Sequence, residues 1–222
     1  MELYIFAIKH DWPVLAPILL CSIIALATTI ERFRYFARNR SGNAAFIDHF
    51  QKAIYRSLPE AKAVADRGKG VIPRLASDAV RLLHDRADGF EACFDARASL
   101  SSRELRRGLA YLGTIATICP YLGLFGTVAR ILLTFGEMAQ AQGGSSSTAI
   151  MFGIGSALIA TAFGLLVAIG AVAMNNLLHA AADEIEADFE LIKLVCLSVN
   201  PGAGQAAGGN GPFQRLEKAW EI

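Results

Sequence analysis

The sequence predicts an all-α integral membrane protein with three transmembrane helices, two of them extended into a helical cytoplasmic domain, assembling as a homo-oligomeric ring. Two long charge-free stretches, 108–129 and 138–178, carry Thr, Gly, Ser and Pro at helical spacing, and a third apolar run covers 13–30. About 17 to 25 residues rising about 1.5 Å each cross the hydrocarbon of a bilayer, and each stretch reaches that length. With 54% hydrophobic residues, a mean hydropathy of +0.40 and only 18% charged residues, the chain is too apolar for a water-soluble fold.

Residues 1–12 form a periplasmic N-terminus and 13–30 the first span. Arg32, Arg34, Arg38 and Arg40 follow that span directly, and Arg103, Arg106 and Arg107 precede the second, while 140–149 contains no Lys or Arg. Basic residues stay on the cytoplasmic side, so the N-terminus is outside and the C-terminus inside, as expected of a multi-pass membrane protein. A cleaved signal peptide is the competing reading of the first span, since Ala25-Leu26-Ala27 resembles a peptidase site. Against it, the positive charge lies after the apolar run, and Glu2 and Asp11 occupy what would be a basic leader.

Residues 31–108 form a cytoplasmic insert. Residues 31–109 hold 16 of the 21 Lys and Arg against 10 acids. Helices are expected over 44–58, 59–67, 73–88 and from 90 onward into the second span, punctuated by Gly68, Gly70 and Gly89. Phe46, Ile47, Phe50, Ile54 and Leu58 fall at helical spacing, and Val71, Leu75, Val80, Leu82 and Leu83 less regularly. These short helices are expected to pack onto extended cytoplasmic ends of spans two and three.

The second span covers 109–136, a periplasmic loop 137–147 and the third span 148–178. A helical extension follows over 179–197, where Leu178, Ala182, Ile185, Phe189, Ile192 and Cys196 form an apolar stripe among Asp183, Glu184, Glu186 and Glu190. Residues 179–222 hold three basic and seven acidic residues, and those acids are expected to face the basic insert. Residues 198–222 read as a Gly-rich flexible linker and a short helix with Phe213, Leu216 and Trp220 on one side.

Enzyme chemistry finds no support, and neither does a cofactor. Cys21, Cys93, Cys119 and Cys196 have no close spacing and read as free packing residues, and His10, His49, His84 and His179 are scattered. No zinc pattern, phosphate loop or nucleophile elbow occurs. The net charge of +1 gives no basis for nucleic-acid binding.

The chemistry that is present lies inside the spans. Gly113, Thr117, Pro120, Gly123, Thr127, Arg130, Thr134 and Glu137 recur at steps of three or four and share one face, and Gly153, Ala157, Thr161, Gly164, Ala168, Ala171 and Asn175 repeat the pattern. A polar stripe is costly in lipid, so it faces protein or water. Small residues also permit close helix contact, so the same stripes serve packing, a pore, or both.

The run 113–128, GTIATICPYLGLFGTV, followed by 157–169, ALIATAFGLLVAI, resembles the MotA/TolQ/ExbB proton-channel family, and the single span before a short insert is most similar to its ExbB/TolQ branch. The resemblance implies a subunit of an inner-membrane complex that couples proton motive force to outer-membrane transport or envelope integrity. It implies a pentameric ring around an ExbD/TolR-like single-span partner whose membrane aspartate carries the proton, with a TonB/TolA-like protein beyond it. By motif, the pore threonines are Thr127 and Thr161, with Ser156, Arg130, Thr134 and Asn175 as further pore-lining residues. A hydroxyl both donates to a carboxylate and accepts from a carboxylic acid.

Three positions depart from the family. ExbB-like chains have glutamate five residues before the second threonine, where this chain has Ser156. Arg130 stands where the family has glycine, and Gly170 where it has proline. Serine cannot titrate, so any proton step relies on the partner's acid. Arg130 has two readings: an outer-end residue snorkelling to the interface after an apolar run of about 31 Å, or a pore-facing cation pairing with Glu137 or the partner's aspartate. The departures leave open an alternative function, a non-conducting oligomeric scaffold of the same fold.

Overall fold

The computed structural model describes residues 12–40, 42–85, 89–140 and 147–199, and these form short turns and seven helices. They are α1 (Trp12–Arg40), α2 (Asn43–Arg56), α3 (Leu58–Arg67), α4 (Val71–His84), α5 (Phe90–Arg106), α6 (Leu109–Gln140) and α7 (Ser147–Val199). The expected N-terminal segment before Trp12, the middle of the loop and the tail from 200 onward lie outside the described residues. α1, α6 and α7 are each long and apolar enough to cross a membrane. Their large apolar side chains, among them Leu19, Ile23, Leu26, Phe125, Leu132, Leu158, Leu166 and Ile169, are exposed, the pattern of surfaces that meet lipid or other protein and not water.

The chain divides into two compact units, one of residues 1–33 and 108–179, the other of 34–107 and 180–222. In the first, the core is made largely of small side chains on α6 and α7. Gly123, Gly126, Gly153, Ala157, Ala160, Gly164, Ala168 and Ala171 are all buried. A Cβ on Gly123 would sit 2.9 Å from Thr161 Cα, and one on Gly164 2.6 Å from the Cys119 carbonyl oxygen. Backbones approach this closely only where glycine stands on at least one side. Pro120 lies inside α6, where it withdraws one amide donor from the helix.

In the second unit, α2 to α5 pack on their sequence neighbours, α2 on α3, α3 on α4 and α4 on α5. Ser57 ends α2 and caps α3: its Oγ accepts from the Glu60 amide at 3.3 Å, a Ser-x-x-Glu start that sets the break at Ser57. Phe50, Ile54, Val71, Leu75, Val80 and Leu83 are buried, while Leu82 is half-buried. The α7 stripe of Ala182, Ile185, Phe189, Ile192 and Cys196 is fully inside. Its acids meet the insert as expected. Arg106 donates from Nε to Glu186 Oε1 at 2.9 Å and from Nη2 to Asp183 Oδ1 at 2.6 Å and Glu186 Oε2 at 2.8 Å, while Arg40 pairs with Glu184 at 2.8 Å and Lys193 with Asp95 at 2.7 Å.

Two expectations are overturned: the helix expected over 73–88 is α4, which ends at His84 with Asp85 in a turn, and the one expected from 90 into the second span is broken. The helix beginning at Phe90 does not run into the second span but ends at Arg106, and α6 starts afresh at Leu109. Gly108 takes φ +84°, a left-handed conformation that only glycine adopts without strain, and this breaks the helix. The helices that run on beyond their apolar spans on the insert side are therefore α1, to Arg40, and α7, to Val199, and not α6. On its other side α6 is longer than expected, continuing to Gln140 instead of 136.

Candidate functional site

The polar residues of the spans gather along the seam between α6 and α7. Thr161 Oγ1 donates to the Gly123 carbonyl at 2.9 Å, a hydrogen bond from helix to helix. Thr127 follows Gly123 by one turn on α6, and its hydroxyl donates to the Leu124 carbonyl at 2.6 Å. Both threonines are half-buried. A carbonyl only accepts, so each hydroxyl proton is committed to backbone, and each oxygen keeps its acceptor capacity.

Further along the seam, Arg130 Nε lies 3.3 Å from Ser156 Oγ, and that hydroxyl donates its own proton to the Gly153 carbonyl at 3.0 Å. Arg130 is 5% exposed and Ser156 is fully buried. Arg130 Nη1 stands 3.8 Å from Glu137 Oε1, whose side chain is 65% exposed, so this ion pair is loose and solvent-facing at one end. Thr134, buried between them, donates to the Arg130 carbonyl at 2.9 Å, and its side chain occupies the space left open by Gly153. Arg130 thus does not simply extend outward from the helix end; its guanidinium is folded into the hairpin. Thr134, Arg130 and Ser156 form one group, and Thr127 and Thr161 a second, one to two turns away along α6 and α7.

Asn175 stands apart from both groups, in the α7 stretch opposite Gly113. Its Oδ1 is buried without a hydrogen-bond partner, and a Cβ on Gly113 would come within 3.9 Å of it. Residue spacing alone does not reveal the Gly123 carbonyl as the acceptor for Thr161, because a backbone oxygen has no signature in sequence. Cys21, Cys93, Cys119 and Cys196 are all free thiols, and Cys119 and Cys196 are buried. Among the described residues no cluster of His, Cys, Asp and Glu has the arrangement of a metal site.

The sequence has counterparts in known proteins. Residues 68–191 match the MotA/TolQ/ExbB proton channel family. An ExbB-like biopolymer transport protein of Synechocystis is 34% identical over 168 residues, covering 74% of this chain and 66% of the relative. The biopolymer transport protein ExbB of Aquifex aeolicus is 40% identical over 105 residues, 47% of this chain and 70% of the relative. The Tol-Pal system protein TolQ of Haemophilus influenzae is 40% identical over 85 residues, 38% of this chain and 37% of the relative. The chain therefore spans about two thirds of the first two relatives and about a third of the last. With three helices long and apolar enough to cross a membrane, a threonine-bearing seam and a family match over more than half its length, the chain belongs to the ExbB/TolQ-like branch of the MotA/TolQ/ExbB proton channel family.

Proposed function

We propose that this chain is the channel-forming subunit of an inner-membrane complex that couples proton motive force to outer-membrane transport or envelope integrity. In this reading it forms a pentameric ring, N-terminus periplasmic and C-terminus cytoplasmic, around an ExbD/TolR-like single-span partner with a membrane aspartate, and a TonB/TolA-like protein carries the work onward. The observation that carries the reading is the Thr161 hydrogen bond to Gly123, which ties the second motif threonine to the helix turn that leads to the first.

The committed hydroxyl protons refine the chemistry. Thr127 and Thr161 are set to accept from a protonated carboxylic acid, the neutral form of the partner's aspartate. Arg130, one turn beyond Thr127, contributes a fixed positive charge that favours the ionised form and opposes free cations, acting through its field because the guanidinium is folded into the hairpin. A proton arriving on the acid then moves its preference from the cation's field to the threonines, and loss of the proton reverses it.

A second reading, the non-conducting scaffold, is favoured by one observation: Ser156, which cannot titrate, is occupied by a buried arginine. Purification of the tagged chain from its native membrane separates the two. The channel reading expects rings of several copies together with a small single-span protein containing a membrane aspartate, identified by mass spectrometry. Rings without such a protein would favour the scaffold, and monomers alone in every mild detergent would contradict both.

A further inference from the structure

The second unit has a cavity of about 280 Å³ between the start of α3 and the end of α4. Leu58, Pro59 and Val80 give it apolar walls, and Lys62, Arg81 and His84 supply cationic groups beside them, with Asp85 the acid of the rim. Among the described residues, no ion pair engages Lys62 or Arg81. A volume of this size takes one or two large side chains and not a whole helix.

The end of α7 lies close to this cavity. Ser198 Oγ is 2.9 Å from the Tyr55 hydroxyl, and Tyr55 precedes Leu58 by three residues across the Ser57 cap. The chain leaves α7 there and continues with a Gly-rich stretch over 200–212, then 213–222, FQRLEKAWEI. The stretch 200–212 extends to at most about 43 to 47 Å, so the segment beyond it is long enough to return to the cavity from the end of α7.

The pattern of 213–222 matches the site. On a helix, Phe213, Leu216 and Trp220 share a stripe, Glu217 and Glu221 lie along one flank of it, and Arg215 and Lys218 fall on the opposite side. A helix made for an anionic membrane surface has its bases beside the apolar face. Here acids hold that position, which suits apolar walls rimmed by cations.

We propose that residues 213–222 dock intramolecularly on this cavity, an aromatic side chain of the stripe entering between Leu58 and Val80 while Glu217 and Glu221 meet Lys62 and Arg81. Tethering gives the segment a local concentration on the order of 1 mM, so an intrinsic affinity of about 100 μM leaves it about nine-tenths docked.

The test uses the full chain. The two tryptophans are Trp12 and Trp220, so Trp12→Phe leaves Trp220 as sole reporter. Docking predicts a blue-shifted Trp220 emission with low acrylamide quenching, lost in both Lys62→Glu/Arg81→Glu and Glu217→Lys/Glu221→Lys, and regained when the four changes are combined. The tail changes leave the helical insert untouched, so loss of signal there is not loss of fold. Solvent-like emission and full quenching in the Trp12→Phe parent would overturn the proposal. A blue shift indifferent to the charge reversals and quenched by brominated lipid would overturn it in favour of the membrane surface.

Discussion

Arg130 Nε points at Ser156 Oγ from 3.3 Å, and these two residues are two of the positions at which the chain departs from the pattern it resembles. A glycine-to-arginine and a glutamate-to-serine difference, 26 residues apart in sequence, meet as one contact in the hairpin. Where ExbB-like chains have an acid this chain has a neutral acceptor, and the charge beside it is positive.

If the field of Arg130 opposes free cations, Arg130→Gly raises proton flux through the complex with its partner bound. The same change removes a bulky buried group at a seam already rich in glycine, so a fall in hairpin stability of about 1 to 3 kcal/mol accompanies it. Ser156→Ala, which removes the acceptor and leaves the charge, costs about 1 to 2 kcal/mol without raising flux. Dye-monitored uptake in liposomes, with unfolding measured on the same variants, checks both. Unchanged flux in an intact Arg130→Gly complex rejects the role of the charge.

The seam glycines divide sharply. Gly123→Ala and Gly164→Ala place a Cβ 2.9 Å from Thr161 Cα and 2.6 Å from the Cys119 carbonyl, both backbone atoms that cannot swing away. Each is expected to destabilise the hairpin by about 1 to 3 kcal/mol. Gly170→Ala meets nothing within 4 Å and is expected to be neutral or to stabilise by up to about 1 kcal/mol through helix propensity. Unfolding of the three variants in one detergent orders them.

The two threonines differ in what their hydroxyls hold. Thr127→Val removes a bond within one helix, whereas Thr161→Val removes the cross-helix link to Gly123 and is expected to cost about 1 kcal/mol of hairpin stability. Thr161→Ser keeps the hydroxyl and is expected to retain both stability and energisation. Equal melting of Thr161→Val and the parent chain would remove the cross-helix bond from the account.

Much of this was legible in the sequence because period and charge are local properties. The α7 stripe from Leu178 to Cys196 and the meeting of its acids with the basic insert follow from spacing and sign, whereas the break expected between residues 58 and 59 falls at Ser57, whose hydroxyl caps α3. The break before α6 was not legible, since Gly108 follows a run of good helix formers and nothing nearby announces its positive φ. Nor was the Arg130–Ser156 contact, because two stripes of small residues fix that helices approach but not which residues lie at the same height. Gly153 decides that height by leaving room for Thr134.

Burial pushes the Cys196 thiol up to about 12 from an ordinary 9.0, and the hydrogen bond to Asp95 raises Lys193. Both folded values lie above the unfolded ones, so the stability each contributes is complete below the unfolded value and is lost as pH rises towards the folded value. For Cys196 the loss begins near pH 9 and amounts to up to about 4 kcal/mol by pH 12. Cys196→Ala is expected to flatten the decline between pH 9 and 10.5, read from denaturation of the second unit by far-UV circular dichroism. An identical decline in that variant would assign it to other groups.

The most direct measurement is proton uptake by liposomes holding the complex purified from its native membrane, with an internal pH-sensitive dye and an imposed membrane potential. Uptake is expected to require the aspartate-bearing partner and to be abolished by Thr127→Val in complexes of unchanged composition. No uptake by the intact parent complex, or undiminished uptake after Thr127→Val, would contradict this expectation.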